Sequence, residues 1–154
     1  MDGNLTIVDQ AVALVLFAHG SGSSRHSPRN QFVARRLNDA GLATLLFDLL
    51  TSEEEAVDLY TREHRFNIGL LAERLLYATR WAHEQKQTRD LRVSCFGSST
   101  GAAAALMAAA ELPDEIAAVV SRGRVREAVH CECGAPLFWG ARFCAQCGRA
   151  VDAS

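Results

Sequence analysis

The chain has 154 residues, a formal net charge of -2 and 49% hydrophobic residues, enough for one domain and a small appendage. Sixteen basic against eighteen acidic residues show neither the basic footprint of a nucleic-acid binder nor the acidic surplus of a solvating tail, so no partner class follows from charge. Met1-Asp2-Gly3-Asn4 lacks the basic and then apolar stretches of a secretory signal, and the longest small-apolar run, Ala102 to Ala110, is far shorter than the about 20 residues a bilayer needs, so a cytoplasmic chain without a membrane span is expected.

In chain order, Leu5 to Val8 offers a short edge strand. Ala11 to Ala18 is continuously apolar rather than alternating, as a strand buried on both faces of a parallel sheet requires, and it ends in His19-Gly20-Ser21-Gly22. Ser27-Pro28 reads as an N-cap with proline at the first helical position, opening a helix through Leu37 that stops at Gly41. Ala43 to Asp48 is a second apolar strand, which completes a right-handed βαβ unit. Thr51 to Arg65, with Glu53-Glu54-Glu55, reads as a solvated loop holding a helical turn. Three adjacent carboxylates diverge on any helix, so a metal site is not expected there.

Phe66 to Lys86 carries Ile68, Leu71, Leu75 and Ala78 at helical spacing, and Leu91 to Phe96 is the next strand. An alanine-rich helix follows to about Leu112, then a strand from Ile116 to Ser121. The lone Cys95 in its apolar segment is a core residue. The strand order predicted is Ala43, Ala11, Leu91, Ile116, in a doubly wound, mainly parallel α/β sheet.

Between the Leu91 strand and the alanine-rich helix lies Gly97-x-Ser99-x-Gly101, the spacing of a nucleophile elbow, whose tight turn strains the backbone at the serine and lifts its hydroxyl above the sheet. The competing reading is a glycine-rich turn that eases a close connection and offers a helix N-terminus to phosphate. The loop from His19 supplies the other expected part. A tetrahedral oxyanion would be held by the amide of Thr100 and by that of Ser21, with His19 shaping the loop.

Phe17 to Asn30, Leu45 to Thr51, Arg65 to Ala72, Phe96 to Ala105 and Val119 to Gly123 together resemble the dienelactone-hydrolase-related branch of the α/β hydrolases, over residues 12–123. The resemblance implies hydrolysis of a small-molecule carboxylic ester or lactone through an acyl-serine at Ser99, where the better-known dienelactone hydrolases use cysteine. It ends near Arg124, before the strands from which the family takes its acid and its base histidine, so weak or absent hydrolysis is expected of the isolated chain. His26 beside the oxyanion loop is the one candidate for an improvised base, and Arg25 and Arg29 near the Ser27 helix start are candidates for gripping an anionic substrate group.

The last part of the chain is different. His130-Cys131-x-Cys133-Gly134 and Cys144-x-x-Cys147-Gly148 resemble the two knuckles of a zinc ribbon, so one structural zinc is expected on Cys131, Cys133, Cys144 and Cys147, with His130 as the alternative to Cys131. The expected domains are 1–127, a truncated α/β-hydrolase domain, and 128–154, the ribbon. The Ile116 strand would be an open edge, exposed, covered by the ribbon or paired with another subunit, so self-association or marginal stability is expected. A second class of function is a non-catalytic hydrolase-like scaffold that presents the ribbon to a protein or nucleic acid.

Overall fold

The computed structural model describes residues 2–122 together with Cys133 and Cys147. The chain divides into two compact units, Met1–Gly123 and Arg124–Ser154. In the first, a five-stranded sheet is built from β1 (Gly3–Thr6), β2 (Ala13–Ala18), β3 (Ala43–Phe47), β4 (Arg92–Ser98) and β5 (Ile116–Arg122), in the spatial order β1-β3-β2-β4-β5. β3, β2, β4 and β5 run parallel, and β1 closes one side antiparallel to β3. Among the described residues β5 is the other edge, with Val120 exposed.

Four helices connect and cover the strands: α1 (Pro28–Asp39), α2 (Ser52–Thr61), α3 (Ile68–Glu84) and α4 (Thr100–Glu111). The unbroken apolar run of β2 follows from burial on both faces. Val15 and Phe17 pack with Ala34 of α1, whereas Leu14, Leu16 and Ala18 pack with α3 and α4 residues such as Leu75 and Ala104. Fully burying a leucine or phenylalanine of this kind contributes about 1.5–3 kcal/mol, so these layers hold the sheet. α1 starts as its sequence requires, with Ser27 accepting from the Asn30 amide at 3.4 Å, and Gly41 beyond its end takes φ 83°.

Two expectations need correction. The edge strand lies at Gly3–Thr6, two residues before Leu5 to Val8, because the antiparallel register pairs Gly3 with Phe47 and Thr6 with Thr44. The segment 51–65 is not a loop with one turn: it holds the ten-residue α2 and then a 3-10 turn at His64–Phe66. A capping box starts α2, with Thr51 Oγ1 accepting from the Glu54 amide at 3.2 Å and Glu54 Oε2 accepting from the Thr51 amide at 2.8 Å. Its acidic first turn also suits the positive end of the helix dipole.

Among the described residues no helix is long and apolar enough to cross a membrane. Nor do they include a group of three or more potential metal ligands. Of the expected zinc ligands, His130, Cys131 and Cys144 lie outside the described residues, and Cys133 and Cys147 are exposed, each at a turn.

Candidate active site

The position of the site follows from topology. From β2 the chain moves by α1 to β3 on one side, then returns to place β4 on the other side of β2. The crevice beyond the carboxyl ends of β2 and β4 is therefore the switch point at which open α/β sheets bind ligands. Ala18 pairs with Gly97 in the parallel register, so the loop from His19 and the turn at Ser99 leave the sheet side by side.

The turn at Ser99 is held by sterics. Ser99 has φ 53° and ψ -121°, a conformation costly for a residue with a Cβ. A Cβ on Gly101 would lie 2.1 Å from the Ala18 carbonyl oxygen, and one on Gly97 would lie 2.4 Å from Ala102 Cα. Both glycines are therefore required by backbone contact rather than by flexibility. The same demand explains the alanines of α4: Ala102, Ala104, Ala105 and Ala108 are buried, letting the helix settle onto β2 and β4. The Ser99 amide donates to the Arg122 carbonyl at 3.1 Å, which ties the turn to the end of β5.

The neighbouring loop touches this turn directly. A Cβ on Gly20 would lie 3.0 Å from the Ser98 carbonyl oxygen and 3.2 Å from Ser99 Cβ. His19 anchors the loop to the next strand connection, its Nε2 accepting from the Leu49 amide at 3.1 Å, with Nδ1 3.1 Å from the Gly20 carbonyl. That bond fixes Nε2 as an acceptor and occupies the ring. The Ser21 amide donates to Thr100 Oγ1 at 3.1 Å. Thr100 is the first residue of α4, so its own amide belongs to the outward-facing first turn of that helix.

A small cleft of about 40 Å³ opens in front of these groups, bordered by the 19–24 loop, Thr100, Asp48, Glu55, Asp58 and Arg65. Among the described residues Arg65 is the one guanidinium on its wall, and both it and Arg25, which bonds the lining residue Asp48 from outside, are engaged. Arg25 pairs through Nη1 with Asp48, whose other oxygen accepts from the Arg25 amide at 2.8 Å. Arg65 pairs through Nε with Asp58 and donates from Nη2 to the Asp58 carbonyl at 3.0 Å. Asp58 is 1% exposed and also accepts from the His64 and Arg65 amides at 2.7 and 3.1 Å. Burial opposes its ionisation, but the Arg65 guanidinium and the two amides outweigh burial and hold the carboxyl below the usual aspartate value.

His26 and Arg29 are exposed, outside the residues that line the cleft. Among the described residues no histidine or carboxylate makes a hydrogen bond to Ser99. Cys95 is buried on β4, and burial pushes its thiol up to about 12, so it offers no thiolate. The Asp58–Arg65 pair carries no sequence signal, because its partners meet only after Arg62 turns the chain through φ 60°.

No protein-family model matches the chain. Among solved structures, a dienelactone hydrolase from Anabaena variabilis is 62% identical with a TM-score of 0.77, over 79% of this chain and 57% of that one. Est1E from Butyrivibrio proteoclasticus, 18% identical with a TM-score of 0.59 over 76% of this chain and 44% of its own, shares the fold. So does a dienelactone hydrolase-like promiscuous phosphotriesterase from metagenomic libraries, 20% identical with a TM-score of 0.56 over 79% and 53%. Two Mycobacterium tuberculosis proteins, provisionally named phosphoribosyl transferases, are 54% identical over 121 residues, 79% of this chain and 26% of each. The chain thus spans about a quarter of these curated relatives, and its fold matches that of dienelactone hydrolase-like α/β hydrolases.

Proposed function

We propose that the chain carries the nucleophile and oxyanion loop of a serine hydrolase acting on an uncharged carboxylic ester or lactone through an acyl-serine at Ser99. The observation that carries this reading is the strained backbone of Ser99, held at φ 53° between two glycines whose Cβ positions are filled by backbone. Strain of that kind costs about 1–3 kcal/mol and persists where the surrounding structure imposes it for a use. Similarity to a dienelactone hydrolase at 62% identity supports the same chemistry. The transferase name belongs to proteins of which the match is only 26%, and the elbow lies within the matched fold, so the elbow sets the reading.

In this reading Ser99 Oγ attacks the acyl carbon and the carbonyl oxygen becomes the oxyanion, held by the Thr100 and Ser21 amides. The Ser99 hydroxyl proton passes through solvent water to the leaving oxygen as the tetrahedral intermediate collapses and the alcohol departs; water then attacks the acyl-serine, releasing the acid and returning a proton to Ser99 Oγ. With no histidine or carboxylate on Ser99 among the described residues, the oxyanion donors are the machinery at hand. Alone they support a rate orders of magnitude below that of a complete triad. The substrate is read as uncharged because Arg65, the one arginine on the cleft wall among the described residues, is already paired with Asp58, leaving exposed Glu55 on the same wall. A carboxylate substrate would meet repulsion there.

The test is the release of 4-nitrophenolate from 4-nitrophenyl acetate in the first turnover. Wild type is expected to show a stoichiometric burst and slow turnover, and Ser99→Ala none; equal release from both would overturn the reading. The absence of a base on Ser99 among the described residues favours one alternative, a non-catalytic scaffold that presents a zinc ribbon. The four tail cysteines, Cys131, Cys133, Cys144 and Cys147, with His130 as the alternative to Cys131, are the proposed ligands of a structural zinc in either case. Elemental analysis is expected to find one zinc per chain, lost in Cys144→Ser/Cys147→Ser.

A further inference from the structure

We infer that the Thr100 hydroxyl is a removable cap on the oxyanion site, an inference that rests on the hydrolase reading above. The Ser21 N–H, one of the two oxyanion donors, donates to Thr100 Oγ1 at 3.1 Å, across 79 positions of sequence. Thr100 also carries the second donor on its own backbone nitrogen. Its side-chain oxygen is two carbon atoms removed from that nitrogen, so it sits beside both donors, in the region an oxyanion must reach. The hydroxyl oxygen is the chemical stand-in for the carbonyl oxygen of a substrate.

Neither helix capping nor loop stapling accounts for this hydrogen bond. The capping position of α4 belongs to Ser99, which makes no side-chain cap bond, and the Thr100 hydroxyl faces the 19–24 loop. The loop, for its part, is held without Thr100. His19 already fixes it to the Leu49 amide, the Ser23 amide closes a turn on the Gly20 carbonyl at 3.1 Å, and Gly20 is seated against Ser98. What Thr100 adds is an acceptor for a donor that would otherwise face solvent. Rotation about one side-chain bond into another staggered well releases it. An incoming ester carbonyl must bring about that rotation, so Thr100 acts as a positioning residue that taxes weak acceptors and admits oxygens that gain charge.

The variants are Thr100→Val, which keeps the shape and loses the acceptor, and Thr100→Ser, which keeps the acceptor. Two readouts apply to the full chain. Exchange of the Ser21 amide, followed by NMR, is expected to be severalfold faster in Thr100→Val and near wild type in Thr100→Ser. The rate of serine acylation by a fluorophosphonate is expected to rise about threefold to tenfold in Thr100→Val, the equivalent of one net hydrogen bond, and to return towards wild type in Thr100→Ser. Slower acylation in Thr100→Val overturns the cap and makes the hydroxyl a support. Unchanged Ser21 exchange overturns it whether or not Ser99 reacts. Faster exchange with no acylation in any variant overturns the hydrolase reading while upholding the Thr100 bond itself.

Discussion

The turn at Ser99, through Thr100, and the acidic segment from Thr51 to Phe66, through Glu55, Asp58 and Arg65, border the same cleft, yet they are held by opposite means. The turn is held by missing side chains: Gly97, Gly101 and Gly20 bring backbone against backbone, and the alanines of α4 extend that closeness along the helix. The acidic segment is held by side chains that find partners. Thr51 and Glu54 cap each other, Glu54 reaches Arg74 of α3 at 2.6 Å, and Asp58 gathers Arg65 and two amides. Steric fixation is all-or-none, whereas polar fixation can be weakened in steps and by pH.

The largest effect that separates the two is expected at Gly101. A Cβ there would lie 2.1 Å from a carbonyl oxygen of β2, so Gly101→Ala should cost about 3 kcal/mol or more, read as loss of the cooperative denaturant transition. Gly69→Ala is the control: its Cβ would meet only the Asn67 side chain at 3.5 Å, and stability should hold or rise slightly. A Gly101→Ala variant as stable as wild type would show that the elbow has room to relax.

Next comes Asp58→Asn, which keeps an acceptor for the amides and loses the charge paired with Arg65. Its melting temperature should be below that of wild type at neutral pH. The folded state holds the Asp58 carboxyl below its ordinary value of 3.8, so the stability it adds is fully present above that value and is lost as pH falls through the lower folded value. The gap between the two melting temperatures should therefore be constant at neutral pH and close in acid. A gap independent of pH would mean that geometry, not charge, holds this corner. The smallest effect is expected for Thr51→Ala, about 1 kcal/mol in chemical denaturation from the lost capping box, with acylation of Ser99 unaffected.

The contrast also explains what is legible in the sequence. The strand order and the elbow can be read because their causes are local: an apolar run buried on both faces for β2, and small residues at fixed spacing around Ser99. The Thr51-x-x-Glu54 spacing is a readable start signal for α2, obscured by a run of carboxylates that looks merely solvated. Partners distant in sequence are not legible. Nothing near Arg25 shows that Asp48, at the end of another strand, will occupy its guanidinium, and nothing near Ser21 shows that Thr100 will meet its amide. On sequence alone Arg25 is a candidate grip for anions; in the structure Asp48 already engages its guanidinium, and the reading proposed above therefore takes an uncharged substrate.

The central claim is that Ser99 is a nucleophile in a preformed elbow. Its most direct test is intact-mass analysis of the full chain after exposure to a fluorophosphonate, with peptide mapping of the adduct and Ser99→Ala alongside. One adduct per chain on Ser99, absent from the variant, is the predicted result. A folded wild-type protein that takes up no adduct, or takes it up elsewhere, would contradict the claim.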